Sequence, residues 1–527
     1  PLRLGLDGAT GWTAIILILL VLACFDVLWV PLASSILFGL FLSSLWIELR
    51  KRSYSFRVSL KDIATSVPLL LIFAAMLLGA LKPPEAWDDT MYHLPYAKSI
   101  LDHHGISVEP FLRYPFLPEH VYLVFAWVLG LKDEYLLQIV NSTFPLLTIM
   151  LIYGTVLRYT QSALLGYLGV LGFLLNKSVF GMVGYAYVDH ALVFFVMAML
   201  VSLSFTQEST SKNKSWFWVS ALYAGDAIGT KFFGLMAMVP VFLWLSYRYR
   251  SIKETFVFFL LVFGVGGFWY LRSFYITGNP VHPIANSLFG YYMWNAEDIR
   301  QQFLEQASLG LPKDLKHLAY GLFSYPVQAY YAALGFLGIL IWKKMSFGLR
   351  FFLFFIFIYY LLWFYIAQVD RYLWPLLPPA CAIVGVSVVL LTGRYSKYIT
   401  LEREGFESVL ISSGFPSYGV MHKANDFRSS YGDVLIHIGL ENGIYYFKGK
   451  AIGDHFGPGR YSQWFVVPEV PGGCGLKSAD EMVRNMRVFS ARMLAIDFRH
   501  YCVDERALRV RFDVLYKDDF AILLAIR

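Results

Sequence analysis

Ile63-Ala64-Thr65-Ser66-Val67-Pro68-Leu69-Leu70-Leu71-Ile72-Phe73-Ala74-Ala75-Met76-Leu77-Leu78-Gly79-Ala80-Leu81 is an uncharged, mostly apolar run, and Trp87-Asp88-Asp89-Thr90-Met91-Tyr92-His93-Leu94-Pro95 follows soon after it. As a helix the run would rise about 28 Å, close to the roughly 30 Å of a bilayer's hydrocarbon. A membrane span that delivers two adjacent carboxylates to one face sets the theme for the rest of the chain.

Similar runs lie near 11–30, 31–47, 135–157, 162–176, 188–206, 216–230, 232–247, 255–271, 326–342, 349–367 and 372–391. With 63–81 they predict about twelve transmembrane helices, and 115–130 reads as a further interfacial or re-entrant helix. The first run has no small-residue cleavage site and another span follows at once, so it reads as a retained helix. The composition agrees: 57% hydrophobic, 18% aromatic and 15% charged residues over 527 positions. Soluble domains carry about 25% charge, so a soluble globular enzyme is excluded. Four cysteines exclude a disulfide scaffold, and no C-x-x-C pair suggests a zinc site.

Charge divides the chain in two. Residues 1–399 hold 28 Lys and Arg against 21 Asp and Glu, and residues 400–527 hold 16 of each, so the first part supplies the whole net +7 (28 − 21). The expected domains are a transmembrane body over 1–399 and a soluble α/β domain over 400–527. Basic residues recur in alternate connections: Arg50 to Lys61, Arg158, Lys212 and Lys214, Arg248 to Lys253, Lys343 to Arg350, and Arg394 with Lys397. By the positive-inside rule these loops are cytoplasmic. The long segments 82–134 and 272–325 then lie outside, and the tail lies inside with free thiols at Cys474 and Cys502. In the tail, Val409–Ser412, Val434–Ile438, Ile444–Phe447, Met493–Phe498 and Phe520–Ile526 read as strands and Ala479–Val488 as a helix.

The external side gathers the residues that could carry chemistry. Two carboxylates at a membrane boundary, Asp88 and Asp89, suit a proton acceptor, because close like charges raise one pKa. An N-cap on an interfacial helix is the competing reading. In a helix Asp88 with Tyr92 and Asp89 with His93 would sit one turn apart. Lys177, Asp189, Lys231, Arg272, His282 and Arg371 fall on the same side. Each alone is explicable as an interface anchor; together they suit a membrane-anchored phosphate. Asp226 stands inside a span, as an interhelical contact or a substrate group. His103-His104 point apart on a helix with no third ligand in view, which argues against a metal. Walker A, H-E-x-x-H and G-x-S-x-G motifs are absent from the sequence.

The Trp87-Asp88 to Tyr92-His93-Leu94-Pro95 stretch resembles the first external loop of the GT-C superfamily of integral membrane glycosyltransferases. The similarity is to the bacterial branch related to protein O-mannosyltransferases and the lipid A aminoarabinose transferase. Gly229-Thr230-Lys231, then Trp269-Tyr270-Leu271-Arg272 leading to Gly278-Asn279-Pro280-Val281-His282-Pro283, and Gln368-Val369-Asp370-Arg371-Tyr372 to Pro378 agree in order, so the resemblance spans roughly 60–390. It implies transfer of a sugar from a polyprenyl phosphate carrier (undecaprenyl phosphate in bacteria) to an acceptor hydroxyl, usually with inversion, at the outer face of the bacterial inner membrane. Asp88 would be the general base, and Asp89 or His93 would tune it or hold the acceptor. Lys231, Arg272 and Arg371 would neutralise the departing phosphate, and Asp189 would orient acceptor or sugar. Tyr92, Lys177 and His282 join the expected substrate-binding set. The partners expected are the lipid carrier and an acceptor protein, lipid or glycan, without nucleic acid and without a required metal.

Two other readings remain. A transporter or flippase of lipid-linked sugars also fits many spans and intramembrane charges, although its halves usually match. A ligase using a diphosphate-linked donor, of the O-antigen type, differs only in the carrier.

Overall fold

The structure, a computed structural model, describes residues 1–527 except 51–59, 82–83, 85, 110–111, 113, 132–133, 209–214, 250–251, 291, 293, 295, 308–309, 325–334, 336, 393–416, 441–446, 454–463, 468–474 and 499–500. It divides into two compact units, Pro1–Tyr395 and Ser396–Arg527.

The first unit is helical. In order come α1 (Leu2–Cys24), α2 (Val30–Arg50), α3 (Leu60–Ala80), α4 (Leu94–His103), α5 (His120–Leu129), α6 (Glu134–Asn141) and α7 (Thr143–Thr160). Then follow α8 (Ala163–Leu174), α9 (Lys177–Gly181), α10 (Asp189–Glu208), α11 (Ser215–Thr230), α12 (Phe233–Tyr249), α13 (Ile252–Gly266) and α14 (Phe268–Thr277). Helices Phe347–Ile366 and Leu377–Thr392 come later. Among the described residues five helical segments are long and apolar enough to cross a membrane: Leu2–Cys24, Val30–Ile47, Leu136–Thr160, Asp189–Thr206 and Phe347–Ile366. The pair α13–α14, bent by 70°, would make a sixth. The count of about twelve is therefore not reached by length, since runs such as 162–176 and 232–247 form shorter apolar helices, Ala163–Leu174 and Phe233–Arg248. Most of run 326–342 and the basic residues Lys51, Arg52, Arg57, Lys212 and Lys214 lie outside the described residues.

Sequence punctuation explains several helix ends. Ser162, Asn176 and Ser346 accept from the backbone N–H groups of Leu165, Val179 and Leu349, capping α8, α9 and Phe347–Ile366. Gly278 ends α14 at φ +74°, where a side chain would be strained. Helix α10 is the centre of the unit: its Asp189–Thr206 window is 89% buried, against α7, α11 and Phe347–Ile366. Helix α2 instead leaves Phe38, Phe41, Trp46 and Leu49 exposed, a face suited to lipid. Helix α5 is buried along nearly its whole length, an interior element, which of the interfacial and re-entrant helices expected over 115–130 disfavours the interfacial one. That interior position matters for the site.

The second unit carries a five-stranded sheet in the order β2-β1-β3-β5-β4. Its strands are β1 (Val434–Ile438), β2 (Lys450–Ile452), β3 (Met493–Asp497), β4 (Phe512–Lys517) and β5 (Ala521–Ile526). β1 is parallel to β2 and β3, and β5 is antiparallel to β3 and β4. The helix Ala479–Val488 lays Met482 and Met486 on Ile436, Ile438, Leu494 and Leu524, while Val420 and Met421 cover Leu435, Ala495 and Leu523 on the other face. Val409–Ser412, Ile444 to Tyr446 and Cys474 lie outside the described residues. Cys502 is disulfide-bonded, against the expected free thiol. Expecting free thiols throughout followed from placing the tail inside; a disulfide persists in an oxidising compartment. Cys24 and Cys381 are free.

Candidate active site

The Trp87–Pro95 stretch does not continue as a plain α-helix. Asp89–His93 forms a single π-helical turn, closed by the Leu94 N–H donating to Asp89 O five residues back, and Pro95 then opens α4. Such turns are uncommon and frequent at functional sites, because the extra residue re-aims side chains. Here it turns four polar side chains inward: Asp88, Asp89, Tyr92 and His93 are all buried, while Trp87 stays exposed.

Asp88 meets Arg371, Oδ2 to Nη1 at 2.5 Å, and its backbone N–H donates to the Tyr187 hydroxyl at 3.2 Å. The Arg371 guanidinium lies over the rings of Tyr187 at 5.1 Å and Tyr372 at 5.8 Å. Lys231 Nζ also sits near Tyr372, 4.9 Å from the ring centroid, and donates to Asp189 Oδ1 at 2.8 Å. Tyr372 is fixed in turn, stacked on Phe233 at 3.7 Å, with the Tyr359 hydroxyl donating to its carbonyl. Two carboxylates and two cations thus close a buried, charge-balanced group built from four distant segments.

His93 completes this group. Its Nδ1 lies 2.8 Å from the Tyr122 hydroxyl, and its ring packs near Tyr92 and Tyr187. Burial first, and the Lys231 charge next, hold its pKa well below the ordinary imidazole range, so His93 is neutral at pH 7. Asp189 Oδ2 and His93 Nε2 are buried without a hydrogen-bond partner among the described residues. Buried polar atoms are normally satisfied, so both suit a polar ligand.

Arg272 stands elsewhere. Its Nη1 donates to Glu119 Oε1 at 2.9 Å and its Nη2 to Ser107 O at 2.6 Å. Ser99 and Ser107 both donate to Glu109 beside it. His282 joins that side, bonded to Tyr292 O at 2.5 Å and edge-on to Phe116, over which Arg272 lies. Lys177 is exposed at the start of α9. Of the expected set, Asp88, Tyr92, His93, Asp189, Lys231 and Arg371 come together, with Asp89 fully buried on the same turn. Arg272 and His282 form a second cluster, and Lys177 joins neither. Sequence reasoning missed Glu119, Tyr122, Tyr187 and Tyr372; the signal for Glu119 was an acid-histidine pair, Glu119-His120, opening an apolar run. Among the described residues no three His, Cys, Asp or Glu side chains converge as metal ligands would.

Comparison with known proteins adds the family context. Residues 118–278 match the family model described as dolichyl-phosphate-mannose-protein mannosyltransferase. That segment holds Glu119, Asp189, Lys231 and Arg272, and leaves Asp88 and Arg371 outside it. Residues 405–525 match the SF2091/S2213 family. The uncharacterized protein SF2091.1/S2213 of Shigella flexneri is 39% identical over 112 residues, covering 21% of this chain and 91% of the relative. SF2092/S2214 of the same organism is 34% identical over 146 residues, 26% of this chain and 74% of the relative. Among solved structures, ArnT from Cupriavidus metallidurans bound to undecaprenyl phosphate aligns with TM-score 0.44 and 12% identity over 87% of this chain and 97% of that one. The oligosaccharyltransferase AglB from Archaeoglobus fulgidus, in complex with an inhibitory peptide and a dolichol-phosphate, aligns with TM-score 0.39 and 12% identity over 84% of this chain and 70% of AglB. The chain belongs to the family of the Shigella SF2091/S2213 proteins, and residues 118–278 of its helical unit match the dolichyl-phosphate-mannose-protein mannosyltransferase model.

Proposed function

We propose that the protein transfers a sugar from a polyprenyl phosphate carrier to an acceptor hydroxyl at the outer face of a bacterial inner membrane, with inversion. The observation that carries this reading is the buried group Asp88–Arg371 and Asp189–Lys231, with neutral His93 beside it. The mannosyltransferase match over 118–278 supports the same chemistry.

Each residue has a task that its geometry suits. The two cations are already desolvated and held by carboxylates and the Tyr372 ring, so little reorganisation is needed when a phosphate arrives. Arg371 moves its charge from Asp88 to the phosphate, which frees an Asp88 oxygen to accept the proton of the acceptor hydroxyl. The hydroxyl oxygen forms its bond to the anomeric carbon as the carbon–phosphate oxygen bond breaks. The phosphate leaves with that electron pair, and Lys231 and Arg371 hold the charge that grows on it. Asp189 keeps Lys231 aimed, and its free oxygen together with His93 Nε2 suits sugar hydroxyls. The Asp88 contribution as a base is about 10²–10⁴-fold.

The test is transfer of labelled sugar from a polyprenyl phosphate donor by the full chain in liposomes, with Arg371→Met beside wild type. The reading predicts loss of transfer in a folded Arg371→Met protein; undiminished transfer would sink it.

A further inference from the structure

We propose that Asp226 and His120 form a positioning pair that sets Lys231 by pinning the last turn of α11 to α5 and α1. The proposal rests on the reading of Lys231 as a phosphate ligand for its consequence, and on geometry alone for its mechanism.

Asp226 is fully buried in the middle of the unit. Its Oδ1 lies 3.4 Å from His120 Nδ1 in the first turn of α5, a close packing contact without a hydrogen bond, and its Oδ2 accepts from the Thr13 hydroxyl of α1. An ionisable residue so deep in a membrane protein is costly and calls for a role. Lys231 is five residues further on, one residue past the end of α11. The turn between them is held on every side: Thr230 donates to Asp226 O at 2.7 Å, and Tyr270 of α14 donates to Ile228 O at 2.8 Å. A methyl at Gly229 would stand 2.2 Å from the His120 ring, one at Gly225 2.4 Å from Val265 Cβ, and one at Gly266 2.1 Å from Gly225 O. The backbone of α11 therefore lies directly against α5 and α13, a closeness only glycine permits.

The pair also accounts for the close spacing of Gly229 and Lys231. The glycine lets His120 reach Asp226, and the lysine, two residues later, reaches Asp189. The residue just before α5, its N-cap Glu119, holds Arg272. The N-terminal end of α5 thus meets two cation-bearing segments with two successive side chains, Glu119 and His120. Asp226 touches neither Lys231 nor a ligand; it acts through the turn.

The experiment reads Lys231 itself. The full chain in detergent micelles is treated with a small amine-acylating reagent, and modification of Lys231 is quantified by mass spectrometry, with exposed Lys98 as internal standard. Asp226→Ala and Gly229→Ala are expected to raise Lys231 modification about tenfold, a coupling within the range for residues linked through a backbone shift. Asp226→Asn, which still accepts from Thr13, stays within about threefold of wild type. Thr13→Val, a milder change, raises it in between and keeps the question decidable if Asp226→Ala does not fold. Unchanged Lys231 modification in a folded variant overturns the proposal; so does Asp226→Asn behaving like Asp226→Ala, which would assign Asp226 a role for its charge. A second arm measures the Kd of a short polyprenyl phosphate for Asp226→Ala, Lys231→Met and the double variant. If Asp226 acts through Lys231, the double variant binds like Lys231→Met alone, and additive losses overturn the proposal. Wild-type binding by Lys231→Met would instead refute the phosphate reading, while the acylation result still decides the positioning.

Discussion

Lys231→Met exposes the energetics of the site most clearly. Lys231 Nζ and Asp189 Oδ1 are 2.8 Å apart, with side chains 11% and 1% exposed. At an effective dielectric of about 20 their attraction is about 6 kcal/mol, against which stands the loss of hydration of both groups. Removing the lysine leaves Asp189 buried with only the Arg371 charge of the same group to offset it, a change that costs up to about 3–5 kcal/mol. The double variant Lys231→Met with Asp189→Leu removes both charges at similar volume and is expected within about 1 kcal/mol of wild type. Stability is measured by denaturant unfolding in detergent, and binding by titration with a short polyprenyl phosphate. The single variant should lose both stability and binding, and the double variant should regain stability without regaining binding. A single variant destabilised by less than about 1 kcal/mol, as an exposed pair would be, refutes the buried-group argument.

Other consequences can be checked separately. Glu119→Ala strands Arg272 and should cost about 3–5 kcal/mol by the same reasoning, while Glu119→Gln keeps an acceptor and costs much less; thermal melts in detergent compare the two. The His93 pKa is lowered by folding, so protonation favours the unfolded chain: the His93 contribution to stability is level above about pH 6.5, the unfolded value, and falls as pH drops below it. His93→Gln should flatten that acid limb in unfolding measured from pH 7.5 to 5.5, and an unchanged slope would count against it. Disulfides persist on the oxidising side of a membrane, so the Cys502 disulfide predicts the tail outside, where loop charges predict it inside. A reporter fused after Arg527 should therefore be active outside, and cytoplasmic activity would contradict this.

What the sequence made legible follows from what periodicity and charge encode. Runs 216–230 and 349–367 reappear as Ser215–Thr230 and Phe347–Ile366, because a long apolar stretch has few alternatives to helix in lipid. Run 255–271 instead breaks at Gly266-Gly267 into two helices bent by 70°, and no hydropathy average registers a hinge. In the tail, β1 and the helix Ala479–Val488 coincide with their sequence readings, whereas β2, three residues long, shows no alternation to read. The site was legible as a list of charged residues and not as pairs. Nothing in spacing says that Arg371 finds Asp88 across 283 positions, that Lys231 finds Asp189, or that Arg272 takes Glu119 instead. The π turn at Asp89–His93 was equally hidden, since one extra residue in a turn leaves the local composition unchanged.

Asp88→Asn carries the central claim. Asparagine keeps the shape and an acceptor for Arg371 but cannot take a proton at neutral pH. Initial rates of sugar transfer from a polyprenyl phosphate donor, with donor binding and melting temperature recorded on the same preparation, should show a loss of about 10²–10⁴-fold in rate with binding and folding retained. Wild-type transfer by folded, donor-binding Asp88→Asn would contradict the account.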